Sequence, residues 1–98
     1  MDQADFDALA ERTLDSIEQA LDAVGLDYER KEGGIIEVEL DDGSRIIVNR
    51  HAAAREIWLA ARSGGFHFRW DGSAWRDTRD GSELFAALSR LAGAILKS

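Results

Sequence analysis

The chain has 98 residues, with 19 acidic and 12 basic side chains, a formal net charge of −7, 45% hydrophobic residues and neither Cys nor Pro. That length and apolar share suit a single small domain over residues 1–98 rather than a disordered polyampholyte. No Cys means no disulfide, thiolate nucleophile or zinc ribbon; no apolar run reaches the ~18–20 residues that span a bilayer; and a negative balance argues against nucleic acid, which needs a basic footprint.

The charge is uneven. Residues 1–32 hold ten acids against three bases (Arg12, Arg30, Lys31), and the remainder is balanced, nine against nine. The opening third therefore carries the whole net charge, an asymmetry that hints at function. The acidic start, Met-Asp-Gln-Ala-Asp, is neither a secretory signal nor a transit peptide, so a soluble, cytoplasmic chain with no membrane association is expected.

Residues 4–24 read as an amphipathic helix. Phe6, Leu9, Ala10, Leu14, Ile17, Leu21 and Val24 recur at three- and four-residue steps, and Gly25 is a plausible stop. Residues 26–30 alternate like a half-buried strand, and Gly33-Gly34 makes a turn. Residues 35–40 form a second strand with Ile36, Val38 and Leu40 on one side and Glu37 and Glu39 on the other. Asp41-Asp42-Gly43 is a hairpin signal, after which residues 44–49 return as a third strand.

Residues 50–54 connect to a fourth strand at 55–60, and Ser63-Gly64-Gly65 turns the chain into a fifth at 66–70. Asp71-Gly72 leads to a short sixth at 74–78. A second helix opens at residues 80–83, where Asp80 and Glu83 have capping-box spacing and Ser82 is an alternative cap. Leu84, Phe85, Leu88, Leu91, Ile95 and Leu96 form its apolar stripe. Short turns between successive strands imply an antiparallel sheet, and two apolar helix faces need a common partner. The expected fold class is α+β: a two-layer sandwich with two terminal helices on one face of an antiparallel sheet of about six strands, its other face in water.

Asp7, Glu11, Asp15, Glu18 and Asp22 fall within roughly 80° on the helical wheel, about 130° from the apolar stripe. Like charges at such spacing cost about 0.2–0.5 kcal/mol per pair, on the order of 1–2 kcal/mol in all. Arg12 is the only base within the helix, so the stripe reads as uncompensated. If the first strand lies at the sheet edge beside the helix, Asp27 and Glu29 extend the stripe into a two-element ridge. Carboxylates are hard ligands suited to Fe, Mn, Ca or Mg. A convex ridge cannot wrap one ion, so weak, multiple binding with retained waters is expected. The same surface suits docking on a basic protein.

His51, in a connection, reads as solvated, and His67 as pointing from the open sheet face. Alternation puts Ile57 and Leu59 toward the helices and Glu56 and Trp58 away, so Trp58 is expected to be exposed beside Asn49, Arg55 and His67 as a protein-contact patch. No nucleophile elbow or phosphate-binding glycine motif is present.

Taken in order, the acidic helix, Asp42-Gly43-Ser44-Arg45-Ile46-Ile47-Val48-Asn49-Arg50, Ile57-Trp58-Leu59-Ala60, Ser63-Gly64-Gly65-Phe66-His67-Phe68, and then Gly72, Trp75, Arg79 and Gly81 resemble the frataxin family in its bacterial CyaY-type form, across essentially the whole chain. The resemblance implies the same sandwich and a non-enzymatic role in iron handling and iron–sulfur cluster assembly. It implies weakly bound iron, Fe2+ or Fe3+, at Asp7, Glu11, Asp15, Glu18, Asp22, Asp27 and Glu29. It also implies docking on a cysteine desulfurase, which delivers sulfur to an iron–sulfur scaffold protein. The implied partner contacts are Glu11, Glu18, Asp22, Asn49, Trp58 and His67. A monomer is expected, with iron-dependent oligomers left open. The alternatives are ferroxidase or iron-storage activity at the ridge, and a docking module whose metal binding is incidental. The chain departs from the family pattern at His51–Ala54, at Glu56 where Gln is frequent, and at Arg69 where an acid is often found.

Overall fold

The computed structural model describes residues 1–98. Helix α1 spans Gln3–Val24, followed by β1 (Asp27–Lys31), β2 (Ile35–Glu39), β3 (Arg45–His51), β4 (Glu56–Ala61), β5 (Gly64–Trp70), β6 (Trp75–Asp77) and α2 (Leu84–Ala92). The six strands form one antiparallel sheet in sequence order, so β1 is an edge strand. Two helices pack on one face, as the apolar periodicities require.

Helix α1 starts at Asp2, whose carboxylate accepts from the Asp5 N–H at 2.8 Å. It stops at Gly25, left-handed at φ 73°, a conformation open to glycine at little cost. Its stripe of Phe6, Ala10, Leu14, Ile17 and Leu21 is fully buried against Ile36, Val38, Ile46, Val48, Ile57, Leu59 and Phe68 from the inner sheet face and Leu84 and Leu88 from α2. One buried polar contact crosses this core: the Trp75 indole N–H donates to Thr13 Oγ1 at 2.9 Å, and Thr13 donates to the Leu9 carbonyl. Every buried side-chain polar atom has a hydrogen-bond partner. No helix is long and apolar enough to cross a membrane.

Element boundaries differ from the sequence reading at several places. Strand β3 runs on through His51, and the chain turns to β4 through Arg55 at φ 53°. Gly64 and Gly65 belong to β5, opposite Ala61 and Ala60, rather than to the preceding turn. Glu83, not Asp80 or Ser82, caps α2: its carboxylate accepts from the N–H groups of Phe85 and Ala86 at 2.9 and 3.0 Å. Asp80 instead closes its own turn by accepting from the Ser82 N–H. Helix α2 ends at Gly93, which leaves Ile95 outside the stripe and 74% exposed, whereas Leu96 folds back into the core.

Candidate cation and partner surface

Asp7, Glu11, Asp15, Glu18 and Asp22 of α1 share one face, as their three- and four-residue spacing demands. The structure also brings a base to them. Alternation along β1 turns Tyr28 and Arg30 toward α1. The Arg30 guanidinium bonds Glu11 at 2.6 Å, Asp15 at 3.1 Å, and Glu18. Arg30 is 27% exposed, against 55% and 59% for Glu11 and Asp15. The stripe is therefore not uncompensated: three of its five carboxylates converge on one internal cation. The hydrogen bond to Glu18 is the main reason that Arg30 holds its proton even more firmly than an ordinary arginine.

The two ends of the stripe are tied more loosely. Asp7 accepts from the Gln3 amide at 2.9 Å. Asp22 accepts from the Tyr28 hydroxyl at 2.9 Å. That bond, helped by burial and by the Asp22 and Glu18 charges, pushes the Tyr28 hydroxyl up to about 12. Apart from Arg30, the stripe meets no cationic side chain of its own chain within salt-bridge distance.

Asp27 and Glu29 lie on the opposite face of β1 from Tyr28 and Arg30, which corrects the expectation of a single continuous ridge. The reason is the two-residue period of the strand. Asp27 sits opposite Glu39 and Glu29 opposite Glu37 in the antiparallel register. These four acids line a shallow depression of about 360 Å³ with Arg45. Lys31 bonds Glu37 at 2.6 Å and Arg45 does so at 3.4 Å; the Lys31 hydrogen bond is the chief cause holding the Glu37 carboxyl below its usual range. Two acidic surfaces thus meet along the β1 edge, one on the helix side and one on the open sheet face. No three or more carboxylate or imidazole groups converge on a point where they could hold a metal ion. The donor chemistry suits hard cations, but the geometry presents separate carboxylates rather than a cage.

The open sheet face carries a second feature. Trp58 is expected to stand free; it is instead half-buried between two imidazoles, His51 at 3.7 Å and His67 at 4.2 Å between ring centroids, all nearly parallel. His51 is not a solvated loop residue: it ends β3, and its Nδ1 accepts from the Ala54 N–H at 3.2 Å. Asn49 lies opposite Trp58 in register. Beneath the column, Glu56 is buried at 5% exposure. It accepts from the Trp58 indole N–H at 2.8 Å and from Arg69 at 2.6 Å. Burial pushes the Glu56 carboxyl up, but the bonds from Trp58 and Arg69 outweigh it and hold it below the usual range. Glu56 and Arg69, two of the departures from the frataxin pattern, face each other across β4 and β5 and satisfy each other.

The sequence reading overlooked Arg30, Tyr28, Glu37 and Glu39 as parts of these surfaces. A signal for Arg30 was present: in Leu26-Asp27-Tyr28-Glu29-Arg30 it shares parity with Leu26 and Tyr28, the apolar side of the strand.

Comparison with known proteins bears on what this surface serves. The frataxin-like domain family matches residues 1–98. The chain is 58% identical over 94 residues to the iron–sulfur cluster assembly protein CyaY of Dechloromonas aromatica, covering 94% of this chain and 90% of that protein. It is 50% identical over 94 residues to the CyaY protein of Cupriavidus metallidurans, with 91% and 85% covered. Among solved structures it is similar to a frataxin from Psychromonas ingrahamii, at TM-score 0.84 and 25% identity, covering 99% of this chain and 97% of that one.

Proposed function

The chain belongs to the frataxin-like family, and on that premise we propose that it is a non-enzymatic, iron-binding regulator of iron–sulfur cluster assembly that docks on a cysteine desulfurase. Relatives 45–58% identical carry the name iron–sulfur cluster assembly protein, which supports a role in that process. The observation that carries the finer reading is the acidic edge. Seven carboxylates on α1 and β1 are spread over two adjoining surfaces, and none is drawn into a chelating group. Such a surface holds Fe2+ as cargo, with most of its waters retained, through one or two carboxylates at a time. It also presents a broad negative potential to a basic partner, where charge supplies steering and orientation. Asn49, Trp58 and His67 form a second contact on the open face, where the stacked rings and the Asn49 amide offer a patch suited to the desulfurase or to the scaffold it serves.

The test is a backbone-amide NMR titration, first with Fe2+ without oxygen and then with the desulfurase. Overlapping broadening along residues 7–29 is expected. Changes confined to His51 and His67 overturn the assignment. Oxygen consumption by stopped flow separates this reading from a ferroxidase, which requires saturable turnover.

A further inference from the structure

Arg30 lies against the centre of the acidic stripe. It is one of only three bases in the first 32 residues, yet it is the side chain that β1 turns onto α1, half-buried and within reach of Glu11, Asp15 and Glu18 together. A guanidinium matches several carboxylates at once because its donors fan out in a rigid plane. Those three acids are consecutive members of the stripe, so the guanidinium covers its centre and leaves Asp7 and Asp22 at the ends. A metal ion or a partner's arginine that needs the central three must first displace Arg30.

We propose that Arg30 is a tethered counter-ion that latches the centre of the acidic face shut and lowers its affinity for external cations. This rests on the acidic face being a cation-binding surface. With the latch closed, metal is confined to Asp7, Asp22 and the outer-face acids of β1 and β2. With it open, Glu11, Asp15 and Glu18 become free donors on one helix face. The latch is intramolecular, so it competes at a high and constant effective concentration. It also keeps the helix from carrying the full cost of its like charges while nothing is bound.

The test compares the wild-type chain with R30Q and R12Q, using Mn2+ as the probe. Arg12 lies exposed on the same helix and belongs to none of the chain's ion pairs. R12Q therefore removes the same charge without opening the latch. Three partly exposed pairs are lost in R30Q, so its affinity is expected to rise about three- to thirtyfold. Paramagnetic broadening, centred on the amides around Asp7 and Asp22 in wild type and R12Q, should in R30Q become strongest at the amides of Glu11, Asp15 and Glu18. R30K, which keeps the charge but not the planar fork, should fall between wild type and R30Q and covers the case in which R30Q folds poorly. Equal affinities for R30Q and R12Q, or an unchanged broadening pattern in R30Q, overturn the latch and leave the acidic face standing as a cation surface. Broadening absent from residues 7–29 in every variant overturns the surface itself, and the latch with it.

Discussion

Replacing Glu56 by Gln probes how the open face is built. The side chain is only 6% exposed and bridges the Trp58 indole to the largely exposed Arg69 guanidinium. A neutral amide keeps an acceptor for the indole but loses the ion pair. Hydrogen bonds to charged groups contribute about 1.5–3 kcal/mol, and the exposure of Arg69 places this one at the low end, about 1.5 kcal/mol. For a domain of this size, that lowers Tm by about 6–12 °C at neutral pH. The native carboxyl lies below the ordinary value of 4.5, so the folded state binds this proton less readily than the unfolded state does. The stabilisation is therefore fully present above pH 4.5 and is lost as pH falls through the depressed native value. Thermal unfolding followed by near-ultraviolet circular dichroism should show a wide gap between wild type and E56Q at pH 7 that narrows as pH falls below 4.5. A gap below about 2 °C at pH 7, or one that does not narrow on acidification, refutes the reasoning.

Thr13→Val should cost about 1–3 kcal/mol, because it strands the buried Trp75 indole N–H without an acceptor; urea unfolding should show Thr13→Ser losing less. Gly34→Ala should destabilise by more than about 1 kcal/mol. Its φ is +78° and a Cβ there would lie 2.9 Å from Arg50 Nε and 3.0 Å from Arg50 Cβ. Gly33→Ala, with φ +85° but open space around it, isolates the backbone part of that cost and should be the milder change in the same denaturation series.

The architecture was legible in the sequence because apolar periodicity and turn residues act locally. The stripe Phe6–Leu21 and the alternations at Ile36–Val38 and Ile57–Leu59 each point to one buried face, and the structure places all of them in one core. Boundaries were less legible. Asp80, Ser82 and Glu83 can all cap a helix, and only the bridge between Arg76 and Glu83 and the packing of Leu84 decide that Glu83 does so. At the site, the helix stripe was visible because its spacing is helical. In the sequence Arg30 is one charge among many, because its meaning depends on which side of β1 faces α1. The stacking of Trp58 was hidden for a related reason: His51, Trp58 and His67 come from three strands, and only the register of β3, β4 and β5 places them in one column.

The most direct test of the acidic edge is the dissociation constant of the labelled chain for the cysteine desulfurase, measured by fluorescence anisotropy at low and physiological salt. A variant with Asp7→Asn, Asp22→Asn, Asp27→Asn and Glu29→Gln removes four charges from the two adjoining surfaces and leaves the Arg30 contacts in place. The account predicts binding at least about tenfold weaker, with a shallower dependence on salt. Unchanged affinity and unchanged salt dependence contradict it.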